Sequence, residues 1–365
     1  MENLLDFFQG ILSENLKDGD KAKLSSESEY YNDIQFTESQ LDEMKDLLNS
    51  KIIYNIEDYN KIIKLSDVIG QVLIDLSNSK ITSFEIFSEQ IFPNLIDLDL
   101  RENQIISFEG LSGKIFPKLE YLKLNNNQIK SFEGLSGKTF PNLEILRLNN
   151  NQIFSFEIFS EQTFPKLKEL ILDNNEISSF KGLSGKTFPK LEYLSLKNNQ
   201  ISSFQGLSGK TFPKLEKLDL DSNRISSFEG LSGETFPNLK ILDLIRNKLT
   251  SFKGLSGKIF PNLELLDLSH NQISSIEGLS EKTFPNLEIL WLNHNKIKSF
   301  EELSGEIFPK LERLYLNNNL ITSLKEFGEI FPILVTLHLF NNDGLTNEMI
   351  KINIKEKNPN VKIFF

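Results

Sequence analysis

Cysteine is absent from the 365 residues, which excludes a disulfide framework, a thiolate metal site and a cysteine nucleophile. Alanine appears once, at Ala22, and the rest of the composition leans toward Ile, Asn, Lys and Phe. No run of some 18 apolar residues occurs, so no membrane-spanning helix is expected. No Asn-x-Ser/Thr triplet occurs either, although asparagine is plentiful. The stretch from Met1 to Leu16 is partly apolar but lacks a basic start and a small-residue cleavage site, so no signal peptide is predicted. Together these absences predict an intracellular, cytoplasmic chain, with delivery into a host cell left open.

Excess positive charge is missing too. The net charge is -11, and it sits mainly at the front: residues 1–70 hold 15 Asp/Glu against 7 Lys/Arg. The remainder is nearly neutral. Such a distribution predicts no nucleic-acid partner and no anionic membrane surface, both of which need a basic face.

What is abundant is a single phrase. From Leu95 the chain reads L-I-D-L-D-L-R-E-N-Q-I-I-S-F-E-G-L-S-G-K-I-F-P-K, and at Leu119 the phrase starts again. Its Phe-Pro pair recurs every 24 residues from Phe92 to Phe308, then after 23 at Phe331. A fixed period of this size identifies a solenoid, in which each unit packs only on its neighbours. Counting each unit from its first Leu, positions 4 and 6 are apolar and alternate with mostly polar positions 3, 5 and 7. That is the period of a strand with one buried face, so stacked units should form a parallel sheet. The remainder of each unit must return the chain on the outer side, which makes the sheet the concave wall of an arc.

Position 9 is Asn in step with the period, from Asn103 to Asn342, where a turning backbone inside a stack needs a polar partner. Positions 14 and 22, with Phe331, hold 20 of the 30 phenylalanines, expected as two buried columns. Glycine at positions 16 and 19 and proline at 23 exclude long return helices and leave loops or 3₁₀ turns.

The L-x-x-L-x-L-x-x-N-x-[IL] core resembles the leucine-rich repeat superfamily over residues 71–365. It looks most like the short, 22-residue intracellular class, which includes phosphatase-regulating subunits and bacterial internalins, with a return segment two residues longer. The resemblance implies an α/β solenoid and an inward Asn that bonds the turns of adjacent coils. It also implies a protein that binds another protein. Alternatives from the same resemblance are a regulatory subunit of a phosphatase or other enzyme, and a pathogen or symbiont effector that binds host proteins.

Three segments follow. Residues 1–70 are expected as a mainly helical N-terminal cap, with helical patterns after Thr37, from Ile56 to Ile63 and, more weakly, from Leu4 to Leu16. Residues 71–342 form the solenoid. Residues 343–365 form a C-terminal cap, a helix over Thr346–Lys357 and one last strand led in by Asn358-Pro359-Asn360-Val361.

Several motifs imitate chemistry. Ser-Gly-Lys-Thr occurs at 136–139, 184–187 and 208–211, but a phosphate loop needs an earlier glycine where Phe132, Phe180 and Phe204 stand. The repeat period accounts for it. His270 and His294 share position 8 of neighbouring units, yet a metal site would want a third ligand. No convergent acid, base and nucleophile set appears, so no enzyme, cofactor, metal site or small-molecule substrate is predicted.

The candidate contact residues lie on the expected concave strip. Asp219, Asp243 and Asp267 occupy position 5 of three successive units, as an electrostatic complement to a partner. The next two units place Trp291, the sole tryptophan, and Tyr315 there. Around them stand Ile289, Arg313, His294, His338 and Phe340. Aromatic and Arg residues in such a setting are typical anchors for a protein partner. Twelve strands at about 4.8 Å give a strip on the order of 58 Å, sized for one protein bound by a monomeric arc.

Overall fold

A computed structural model describes residues 52–54, 72–87 and 92–365, with short interruptions at 112, 158, 160–162, 208, 210, 256–258, 280–282, 302–306 and 326. Its framework is a parallel sheet of 14 strands arranged in sequence order. Strand β1 (Ile52–Ile53) is followed by β2 (Val72–Asp75) and β3 (Leu95–Asp99). Then come three-residue strands, one per coil: β4 (Tyr121–Lys123), β5 (Ile145–Arg147), β6 (Glu169–Ile171), β7 (Tyr193–Ser195) and β8 (Lys217–Asp219). The series continues with β9 (Ile241–Asp243), β10 (Leu265–Asp267), β11 (Ile289–Trp291), β12 (Arg313–Tyr315), β13 (Thr336–His338) and β14 (Lys362–Phe364). Leu98, Leu122 and Leu146 stand side by side, and the same register runs on through Leu290 and Leu314.

Strand β1 pairs with β2 and carries the sheet one strand beyond the first repeat. It falls within the segment read from sequence as mainly helical. The helical patterns of that segment lie outside the described residues.

The core is continuous along the stack. Strand positions 4 and 6 face inward and are fully buried, as at Leu218 and Leu220. Behind them stand the two phenylalanine columns. Phe204, Phe228 and Phe252 stack 6.1 and 6.3 Å apart, and Phe212, Phe236 and Phe260 stack 5.8 and 6.3 Å apart. Each fully buried ring contributes roughly 1.5–3 kcal/mol from apolar burial, so the columns stabilise every coil alike.

Asn at position 9 joins coil to coil. Asn199 donates from Nδ2 to the carbonyls of Leu172, Leu196 and Lys197 at 2.9, 3.1 and 3.1 Å. Its Oδ1 accepts the Ile177 N–H at 3.0 Å. One amide thus satisfies backbone groups that no sheet ladder reaches.

The described return segments are mainly turns, and Phe84–Phe87 forms a 3₁₀ turn. They lie so close to the preceding coil that glycine is required. Gly182 has φ +101, and a Cβ placed there would lie 2.4 Å from the carbonyl oxygen of Phe156. The shortened unit before Phe331 holds helix α1 (Phe327–Ile330), whose Phe327 packs edge-on against Phe300 at 5.8 Å.

Beyond Asn342 lies helix α2 (Asn347–Ile350), capped by the Thr346 hydroxyl, which accepts from the Met349 N–H at 3.3 Å. The π-helix Lys351–Lys355 continues it, and then comes β14. This last strand departs from the repeat by one residue. The lead-in Asn358-Pro359-Asn360-Val361, read as the repeat's Phe-Pro-Asn-Leu, would put Phe364 at inward position 4. Instead Ile363 pairs with Leu337 and Phe364 with His338. A slip of one residue moves a strand side chain to the opposite face, so Phe364 lies on the open face and is 49% exposed.

Candidate partner-binding face

Position 5 of the last four strands is a row of rings. Trp291 stacks on Tyr315 with centroids 5.5 Å apart, Tyr315 on His338 at 4.6 Å, and His338 on Phe364 at 4.4 Å. Phe340 meets His338 edge-on at 6.3 Å. Trp291, Tyr315 and His338 are half-buried, with their faces spent on one another and the rest of each ring open on the sheet face. Burial lowers the pKa of His338 and favours its neutral form. Ile289 is half-buried beside Arg313, which is exposed. The structure therefore unites Trp291, Tyr315, Arg313, Ile289, His338 and Phe340 on adjoining strands. Phe364 was missed by sequence reasoning, and the terminal slip in register is the reason.

The aspartates divide differently from the sequence expectation. Each accepts the backbone N–H two residues on, where the strand ends: Asp219 from Asp221 at 3.2 Å, Asp243 from Ile245 at 3.0 Å and Asp267 from Ser269 at 2.9 Å. Asp suits this position because its short carboxylate closes such a turn on its own backbone. Asp219 is only 2% exposed, and its carboxylate lies 3.0 Å from Lys197 Nζ. It therefore serves the fold and is withdrawn from the surface, which corrects the expectation of three equivalent contacts. Asp243 and Asp267 remain half-open, without a cationic partner among the described residues.

Burial is the main force on these two carboxyls. It raises Asp267 above the ordinary value, and it raises Asp243 to about 6 with help from the charges of Asp219, Asp267 and Asp221. A carboxyl raised on folding opposes stability where it must ionise, above its folded pKa. The penalty fades as pH falls toward 3.8 and is gone below that. Asp243→Asn keeps an acceptor for Ile245 and should stabilise the protein at pH 7. The shift corresponds to roughly 3 kcal/mol at 1.36 per unit, and solvent screening of a partly open group reduces this to about 1 kcal/mol. Denaturation midpoints of the two proteins at pH 7.5 and pH 4 provide the check, with the gain expected only at the higher pH.

The histidines of position 8 have a backbone explanation. Every described coil turns there through a left-handed residue: Asn126, Asn150, Asn174 and Asn198 have φ from +49 to +59, and His270 and His294 both have +56. Asn and His tolerate this conformation better than most residues. The two imidazoles stack face to face at 4.1 Å with an 11° tilt, so their nitrogens do not converge on a common point. His294 Nε2 also meets Asn318 Nδ2 at 3.2 Å. Burial and the neighbouring charges of His294 and Arg246 lower the pKa of His270. Among the described residues no group of three or more His, Asp or Glu is arranged to hold a metal. The Ser-Gly-Lys-Thr motifs at 136–139 and 184–187 are tight turns, as where the Ser184 and Thr187 hydroxyls hydrogen-bond at 3.2 Å.

A stack of coils that each give one short parallel strand, joined by an inward Asn ladder and phenylalanine columns, defines a leucine-rich repeat protein. The chain belongs to that superfamily. The family described as leucine rich repeats (2 copies) matches residues 117–161 and 261–305, and that described as leucine rich repeat matches 165–225 and 213–273. Among solved structures the chain is similar to the internalin InlF of Listeria monocytogenes, at 20% identity, covering 88% of this chain and 93% of that one, with TM-score 0.55. It is also similar to Toll in the Toll–Spätzle complex of Drosophila, at 20% identity, covering 77% of this chain and 37% of that one, with TM-score 0.57. The functional domain of InlJ from Listeria monocytogenes matches at 17% identity and TM-score 0.46; the chain covers 61% of it. At these identities the likeness shows the fold alone. No curated protein matches in sequence. No helix among the described residues is long and apolar enough to cross a membrane.

Proposed function

We propose that this protein is a recognition scaffold that grips a partner protein along the concave face of residues 71–342, with Trp291, Tyr315, His338, Ile289, Arg313 and Phe340 as the anchors. The observation that carries the reading is the row of stacked rings on β11 to β14, half-open on a sheet face that elsewhere presents mostly polar or paired side chains. Rigid aromatic anchors lose little conformational entropy on binding and supply much of the contact energy at protein interfaces. Asp243 and Asp267 add charge beside them. The absence of cysteine and of Asn-x-Ser/Thr triplets supports an intracellular setting. In this reading residues 1–70 and 343–365 cover the two ends of the stack.

A photo-cross-linking amino acid in place of Ile289, compared with one in place of Ile106, tests the assignment. Ile106 is exposed outside the sheet. The expected outcome is a discrete protein adduct at 289, none at 106, and loss of the adduct by at least about tenfold when Trp291→Ala and Tyr315→Ala are added. Adducts that survive the double substitution, or that form at 106 alone, overturn the reading.

A further inference from the structure

The open face of β9 to β12 has a chemical polarity of its own. Ile241, Leu265 and Ile289 are in register at position 3 and form a half-buried apolar stripe across three strands. Lys217 and Arg313, paired in register with Ile241 and Ile289, close its two ends. One margin of the stripe is position 2, with Glu264, Glu288 and Glu312 in successive coils, all exposed. The other margin is position 5, with Asp243 and Asp267 running on into Trp291 and Tyr315.

The three glutamates are the longest carboxylate run at position 2. From Glu120 to Lys240 every third residue at position 2 is a lysine that pairs with the glutamate before it, Glu144 with Lys168 at 2.7 Å and Glu216 with Lys240 at 2.9 Å, whereas no lysine separates Glu264, Glu288 and Glu312. Elsewhere on the face, Lys123 at position 5 reaches Asp97 at position 3, 2.6 Å away, and Arg246 at position 8 reaches Asp221 at position 7, 2.7 Å away. Glu264, Glu288, Glu312, Asp243 and Asp267 make no ion pair among the described residues; Lys240, the cation whose charge acts on Glu264, is bonded to Glu216. Neighbouring strands lie about 4.8 Å apart, where like charges oppose one another. Negative charge is therefore left unneutralised on both sides of an apolar stripe.

We propose that the segment seated on this face is basic and amphipathic, a stretch of a protein partner with apolar side chains along its centre and Lys or Arg along both edges. The inference rests on the concave-face reading and specifies its chemistry. Apolar side chains would cover Ile241, Leu265, Ile289 and Trp291, while the cations would neutralise the two acidic margins. Other occupants fit less well. Phosphate-rich nucleic acid and anionic lipid would meet carboxylates on both sides. A second copy docked on the same patch would set glutamate against glutamate, because a two-fold contact brings each surface against itself.

The single tryptophan reports on this site directly. The test titrates the full chain with an 18-residue Leu/Lys peptide having one apolar face, its Leu/Glu counterpart, and a Lys/Ser peptide without apolar residues, following Trp291 emission. The Leu/Lys peptide should change the emission saturably, and the other two should not. Glu264→Lys with Glu288→Lys should weaken it by at least about tenfold. Glu109→Lys with Glu133→Lys, the same charge change at exposed sites outside the sheet, should weaken it less than about twofold, because distant charges are screened. Equal binding of the Leu/Glu peptide, absence of Leu/Lys binding, or equal loss in the two charge-reversed proteins overturns the proposal. An adduct that persists at Ile289, depends on Trp291 and ignores Glu264→Lys with Glu288→Lys would leave the concave-face reading standing and remove the basic partner. Loss of the Ile289 adduct in the unsubstituted protein would remove both.

Discussion

Asn199→Ala should destabilise the protein by about 2–3 kcal/mol, although it removes only a small polar side chain. The amide of Asn199 serves three carbonyls and one N–H inside the stack. The Ile177 N–H is left without a partner, which costs about 1–3 kcal/mol, while each carbonyl keeps one other donor: Asn175 Nδ2 for Leu172, Asn223 Nδ2 for Leu196 and the Asn174 N–H for Lys197. Coils on both sides of the substitution are involved, because the amide bonds Leu172 and Ile177 of the preceding coil as well as its own. Asn198→Gly is the control. Asn198 is exposed, has φ +49 and donates to Asn174 Oδ1 at 2.9 Å, so glycine keeps the backbone and loses only one rim contact. Its cost should stay below about 1 kcal/mol. Urea melts followed by circular dichroism decide the matter, and equal midpoints for the two variants would mean that the inner ladder is not what joins the coils.

A comparable loss is expected from Phe228→Ala, about 3–5 kcal/mol. Phe228 is fully buried between the parallel rings of Phe204 and Phe252, so truncation leaves a cavity that the rigid stack closes only in part. Because every coil contacts only its neighbours, a gap at mid-array should also uncouple the two halves and broaden the transition. Phe228→Ile calibrates the measurement. The same column already accepts Ile276, which is 4% exposed, and a branched side chain there should cost about 1–2 kcal/mol. A sharp, unshifted melt for Phe228→Ala would show that the ring column does not couple the coils.

Much of the molecule could be read in the sequence because its interactions are periodic. Leu at positions 4 and 6, Asn at 9 and Phe at 14 and 22 meet copies of themselves one period away, so the register of β3 to β13 and the buried ladders follow from counting. Membership of the leucine-rich repeat class was legible from the same regularity, and that class is generally a protein-interaction module. Position 5 was legible as a column on the sheet face opposite the core, and Trp291 and Tyr315 do lie together there.

What breaks the period was decided only by the folded chain. Asp219, Asp243 and Asp267 are equivalent in sequence, yet Lys197 reaches Asp219 alone, which takes that carboxylate out of the surface. His270 and His294 lacked a third ligand in the sequence, and only the folded chain showed their shared left-handed backbone and face-to-face stacking. Phe364 joined the row of rings through a slip of one residue in the last strand. Tandem copies can announce a repeated contact from local spacing alone. Which charges are neutralised, and which side a terminal residue faces, depends on side chains from adjacent coils meeting in space.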